Sequence, residues 1–124
     1  MPADGTVRGP VEFRIPAVPP SLNRLLRNRG LRITEPSKWG LLVRSAARGI
    51  APFRIPVRIE LAFIGVRGDA DNYAKLVMDG LVRSGLIVDD GYPYVAALTL
   101  RVKPLRGGQR CTIVKIAPAG IEAA

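Results

Sequence analysis

Between residues 57 and 103 the spacing of apolar residues changes period twice, and a chain with that pattern has few ways to fold. Val57, Ile59, Leu61 and Phe63 alternate with Arg58 and Glu60, which is the two-residue period of a half-buried strand. From 71 to 84, Tyr73, Leu76, Val77, Gly80 and Leu81 lie on one helical face, with Asp71 at the N-cap position and Gly85 past the end. Leu86 to Val88 is a brief apolar stretch closed by Asp89, Asp90 and Gly91, and Tyr94 to Lys103 again reads as a strand. If its two strands are neighbours, this strand, helix, strand unit is parallel, because the helix returns the chain to the edge where the first strand began.

The flanking segments add a strand on each side. Val11, Phe13 and Ile15 alternate with Glu12 and Arg14, and Pro16, Pro19 and Pro20 end the run. Trp39, Leu42, Val43 and Ala46 or Ala47 are at helical spacing, which predicts a helix over 37–48 with Ser37 as N-cap and Gly49 just past the end. Residues 21 to 36 have no sustained period and read as a mobile basic loop. Arg110 to Ile116 reads as a last strand, and Gly107 and Gly108 in the connection predict that it forms an antiparallel hairpin with the strand before it. The expectation is an α+β single domain over 11–117: a mixed β-sheet with two main helices, order β-α-β-α-β-β, and a C-terminal antiparallel hairpin. Residues 1–10 are expected to be a flexible lead-in and 118–124 a tail.

A length of 124 residues with 48% hydrophobic content suits one core and is too short for two. The 19 Lys and Arg outnumber 10 Asp and Glu, a formal charge of +9, so a polyanion is the first partner to consider. No apolar run nears the roughly 18 residues that cross a bilayer, and residues 1 to 9 lack a signal peptide's apolar centre. A soluble, cytoplasmic protein without a membrane partner is expected. Cys111 is the single cysteine and histidine is absent, which excludes an internal disulfide and removes the usual zinc ligands. Any catalytic metal must be held by oxygen.

Charge is unevenly distributed. Between Arg24 and Arg48 seven basic residues face one acid, Glu35, and this segment is the electrostatic footprint. Of the ten acids, five fall within 69–90. Asp69 and Asp71, two apart in an extended approach to a helix, would emerge on the same side, roughly 7 Å apart. Asp89 and Asp90 close the segment after that helix; spacing alone does not bring them to Asp69. Converging carboxylates repel one another unless a cation sits among them, and all-oxygen ligation suits Mg²⁺ or Mn²⁺. Such a site favours phosphodiester hydrolysis. Lys75 follows Asp71 by one helical turn and can pin a phosphate, with Asp79 one turn further able to pair with it.

Taken together, Asp69-Ala70-Asp71-Asn72-Tyr73-Ala74-Lys75, Asp79-Gly80-Leu81, Gly85 and Asp89-Asp90 resemble the D-x-D-N-x-x-K, D-[AG]-L, G, D-D signature of RusA-type Holliday junction resolvases. Pro19-Pro20-Ser21-x-Asn23-Arg24 resembles the P-P-S-x-N-R stretch of the same family. The resemblance spans about residues 11 to 117. It implies a homodimeric endonuclease that needs Mg²⁺ or Mn²⁺ and cuts four-way DNA junctions symmetrically. By position it implies Asp69, Asp71 and Asp90 as metal-binding carboxylates, Asp89 as an additional ligand and Lys75 as the catalytic lysine. It also implies Asn23, Arg24, Arg27, Arg29, Arg32, Lys38, Arg67 and Asn72 as residues toward the nucleic acid. Two departures stand out: some relatives have a basic residue directly before the first Asp, where this chain has Gly68 after Arg67, and Gly91-Tyr92-Pro93-Tyr94 lengthens the approach to the next strand.

Each feature also has an ordinary structural account. Asp71 can be only a helix cap, Lys75 with Asp79 a solvated surface pair, and Asp89-Asp90-Gly91 a turn. Trp39 fits a core anchor and Cys111 a small strand residue. Two other functions use part of the pattern: a non-catalytic basic nucleic-acid-binding module, and a small-molecule phosphatase, which has no use for the basic 24–48 segment.

Overall fold

Apolar residues at alternate positions from 57 to 63 commit one side of that strand to a core, and in the computed structural model it lies in the interior of a sheet. The structure describes residues 9–105 and 107–119. Most of the expected lead-in and tail therefore lies outside the described residues. The elements in chain order are β1 (Val11–Ile15), α1 (Leu22–Arg27), α2 (Arg29–Ala46), β2 (Val57–Ile64), α3 (Asp71–Arg83), β3 (Val95–Lys103) and β4 (Cys111–Pro118). The α+β class, the mixed sheet and the two main helices, α2 and α3, agree with the sequence reading.

The four strands lie in the order β1-β4-β2-β3. β2 and β3 are parallel, as the strand, helix, strand pattern requires, with Val57 opposite Val95 and Ile64 opposite Lys103. β4 is antiparallel to both its neighbours, β1 and β2. The expected hairpin is thus corrected: β3 and β4 are consecutive in sequence but β2 separates them. Burial supplies the reason. Thr112, Val114 and Ile116 of β4 are fully buried, which suits an interior strand, whereas β3 is mostly exposed and fits an edge. Thr112 resolves its buried hydroxyl by donating to the carbonyl of Ala17 at 2.8 Å.

The basic segment is corrected as well. Residues 22–27 and 29–46 are helical, so the expected loop is two helices, and Ser37 lies inside α2 rather than capping it. Ser21 caps α1 by accepting from the N–H of Arg24 at 3.2 Å, and Asn28 caps α2 by accepting from that of Leu31 at 3.1 Å. The guanidinium of Arg32 donates back to the carbonyls of Leu25 and Leu26, satisfying the open end of α1. Pro36 sits inside α2, where it forgoes one intrahelical bond. These caps and the arginine stand in for an apolar stripe, which the first half of α2 lacks.

α2 and α3 close over the sheet around Trp39, Val43, Val77 and Leu81, each 0–1% exposed. They approach tightly at Gly80, where a Cβ would lie 2.8 Å from the Trp39 carbonyl oxygen and 2.9 Å from Val43 Cγ2. Only glycine permits that approach. No helix among the described residues is long and apolar enough to cross a membrane.

Candidate functional site

The C-terminal end of β2 leads through Gly65 and Gly68 into α3. Gly68 has φ +93°, a conformation that side chains with a Cβ rarely adopt, so the backbone itself disfavours a basic residue directly before Asp69. Arg67, one position earlier, is exposed, and its carbonyl accepts a hydrogen bond from the hydroxyl of Tyr73 at 2.8 Å. The Tyr73 ring packs on Phe63 of β2 with centroids 5.6 Å apart. Tyr73 thereby ties the turn to the sheet.

Asp69 and Asp71 flank this turn and both are exposed. Ala70 between them has helical angles (φ −61°, ψ −32°), so the approach turns instead of extending, and the same-side geometry expected from an extended pair does not apply. Asp71 opens α3 and makes no side-chain cap bond; the backbone carbonyl of Asp69 accepts from the N–H of Asn72 at 3.1 Å in that role. Lys75 Nζ lies 3.7 Å from Asp79 Oδ2, the one-turn pair expected from their spacing. Lys75 is 65% exposed, so the pair contributes only a few tenths of a kcal/mol and leaves the ammonium group accessible.

Asp89 and Asp90 are elsewhere. They lie on the connection that runs from the C-terminal end of α3 to the start of β3, where the N–H of Val57 bonds the carbonyl of Tyr94 at 2.9 Å and that of Phe53 bonds Leu86 at 2.8 Å. That is the N-terminal end of β2. The length of α3, 13 residues, separates the two aspartate pairs by roughly 20 Å. Among the described residues no three His, Cys, Asp or Glu side chains are grouped so that they could hold a metal ion. The pocket expected to join Asp69, Asp71, Asp89 and Asp90 does not form within one chain. The reason is topological, since a parallel strand, helix, strand unit places the two ends of its helix at opposite ends of the sheet.

Several basic residues instead gather around a cavity that reaches the first turn of α3 through Tyr73, with neither Asp69 nor Asp71 in its lining. This polar cavity of about 390 Å³ is lined by Pro19, Pro20, Ser21, Arg24, Lys38, Tyr73 and Arg110, with Glu35 at its wall. The proline-rich turn after β1, the two basic helices and the start of α3, far apart in sequence, therefore meet at the C-terminal end of β2. Asn23, Arg24, Arg27, Arg29 and Lys38 are exposed, and Asn72 is half-buried. Arg32 differs from them because its guanidinium is engaged with the end of α1. Sequence reasoning passed over Arg110, and it took Glu35 only as the single acid in a basic run. Glu35 sits among Leu31, Lys38 and Trp39 at one-turn spacings, a signal that becomes visible once residues 29 to 36 are treated as helix.

Comparison with protein-family models gives no match, and comparison with curated proteins gives none.

Proposed function

We propose that the protein is a divalent-metal-dependent DNA endonuclease that cuts four-way junctions as a homodimer, with each active site drawn from both copies. The observation that carries this is that a cavity lined by Pro19, Pro20, Ser21, Arg24, Lys38 and Arg110 lies at the C-terminal end of the parallel strands, the end at which Arg67 and the start of α3, with Asp69 and Asp71, also lie. In open sheets with parallel strands that end is where ligands bind. That end presents cations for phosphates and, at the start of α3, exposed carboxylates.

The donor set of one chain does not fit a shared ion, because its two halves are at opposite ends of α3. A two-fold axis across β3 removes the difficulty. β3 is an edge strand, and Leu98 is 41% exposed although its register partner Ile59 is buried. Val88, Tyr92 and Leu105, on either side of β3, are 44%, 87% and 44% exposed. An antiparallel second copy along this edge covers those side chains and brings its Asp89 and Asp90 to the end where Asp69 and Asp71 stand. The four carboxylates together offer the all-oxygen donors that suit Mg²⁺ or Mn²⁺, which would supply neutralisation of phosphate charge and an acidified water. Lys75, one turn after Asp71 and with its ammonium exposed beside Asp79, is available to hold a phosphate oxygen, and Arg24, Lys38 and Arg67 to hold the strand on either side. Two sites related by a two-fold axis match two symmetric cuts. The RusA-like signature is consistent with all of this.

The test uses a labelled four-way junction and a matched linear duplex, each with and without Mg²⁺ or Mn²⁺. The expected result is metal-dependent cutting of the junction in preference to the duplex, abolished in Asp71→Asn and Asp90→Asn, both of which still bind the junction. A second reading, a basic binding module without chemistry, is favoured by the absence of a three-ligand group among the described residues of one chain. Tight junction binding with no metal-stimulated nicking at any protein concentration decides for it.

A further inference from the structure

The cavity at the C-terminal end of β2 contains one group that phosphate binding does not explain. Glu35 is 7% exposed, and its carboxylate has one described ion pair, Lys38 Nζ at 3.7 Å from Oε2, a distance too long for a hydrogen bond. Among the described residues no hydrogen bond to Glu35 satisfies the carboxylate. Its oxygens open onto the cavity instead of being sealed in the core, and a negative group at the wall of an anion site repels the anion. A ligand that suits this cavity has to present negative charge to Arg24, Lys38 and Arg110 and, a few ångströms away, N–H donors to Glu35.

One nucleotide has both. Its phosphate carries the charge, the amino groups on base edges donate, and acidic side chains accept from such groups in base recognition. A cavity of about 390 Å³ has room for a unit of that size, and its walls supply the apolar surfaces of Pro19, Pro20 and Leu31 on which a base ring can rest. Resting on the nuclease reading above, we infer that this cavity takes one nucleotide out of its stack beside the cut, with Arg24, Lys38 and Arg110 on its phosphate and Glu35 on its base. Extrusion is cheaper where stacking is interrupted, as it is for the paired bases at a branch point, so the cavity favours branched over continuous duplex.

The test places 2-aminopurine, one position at a time, next to the branch of a four-way junction and follows its fluorescence on adding protein in EDTA. Wild type is expected to raise the emission several-fold at one position and not on the linear duplex. Glu35→Ala is expected to lower the extruded fraction about tenfold with junction affinity little changed, Glu35→Gln to keep part of the response because the amide oxygen still accepts, and Arg110→Ala to lower both. If Glu35→Ala leaves the fluorescence unchanged, or merely tightens binding to every DNA, Glu35 is a counter-charge in a phosphate pocket and the inference is overturned. Thermal melts of the variants verify that they are folded. Mg²⁺-dependent nicking of the same junction separates the two levels: a wild type that nicks without a fluorescence change overturns the nucleotide pocket alone, and one that neither binds nor nicks overturns the nuclease with it.

Discussion

Mixing two inactive variants tests the shared site most directly. In the proposed dimer each site takes Asp71 from one copy and Asp90 from the other, because within a chain the length of α3 holds them roughly 20 Å apart. Asp71→Asn alone and Asp90→Asn alone damage both sites of every dimer, with an expected loss of roughly a thousandfold or more. Random exchange between equal amounts of the two gives about half mixed dimers, and in each of these one site has lost both groups while the other is intact. About a quarter of the wild-type sites should therefore return. The assay is nicking of a four-way junction in Mg²⁺ after co-refolding, with subunit exchange verified by fluorescence transfer between labelled copies. Asp69→Asn mixed with Asp71→Asn is the control: each site takes both residues from one copy, every site is damaged once, and no activity should return. Equal rescue by both mixtures, or none by the first despite proven exchange, would refute the shared site.

Leu98→Asp puts a charge on the exposed edge that the second copy is proposed to cover, and should shift the protein to monomer in sedimentation while lowering nicking in parallel. Gly80→Ala forces a methyl group against the Trp39 carbonyl; overpacking of about 1–3 kcal/mol, less the gain of about 0.5–1 kcal/mol from better helix propensity, leaves a net loss near 1–2 kcal/mol in urea unfolding. A variant as stable as wild type would show that α2 and α3 move apart at no cost. Asn28→Ala removes the cap of α2 and should cost about 1 kcal/mol, most of it recovered by Asn28→Asp. Replacing Arg24, Arg27 and Arg29 with alanine should reduce the slope of log affinity against log salt by about 2.7, whereas Arg32→Ala, whose guanidinium is engaged with α1, should hardly change it.

The chain's local patterns were enough to locate β1, β2, α3, β3 and β4 to within two residues, because alternation along a strand and the apolar face of α3 are properties of neighbours in sequence. The same patterns pointed to a loop over residues 21–36, which is wrong, because helix there is secured by the side chains of Ser21, Asn28 and Arg32 instead of an apolar stripe. They also marked the acids and the basic run as the chemical parts of the molecule and indicated that β2 and β3 run parallel.

What periodicity cannot encode is which strand lies beside which. Tertiary packing put β4 between β1 and β2 and left β3, whose residues are mostly exposed, at the edge, and this arrangement determines both the absence of a hairpin and the presence of an uncovered strand. It also gathered Pro19–Arg24, Arg110 and Tyr73 around Glu35, residues whose proximity depends on contacts closed across most of the chain. The spacing of Asp71 and Asp90 in sequence was equally compatible with one pocket or two distant corners; the direction of α3 between parallel strands decided for the corners, since a helix that returns the chain to its starting edge must leave its own ends far apart.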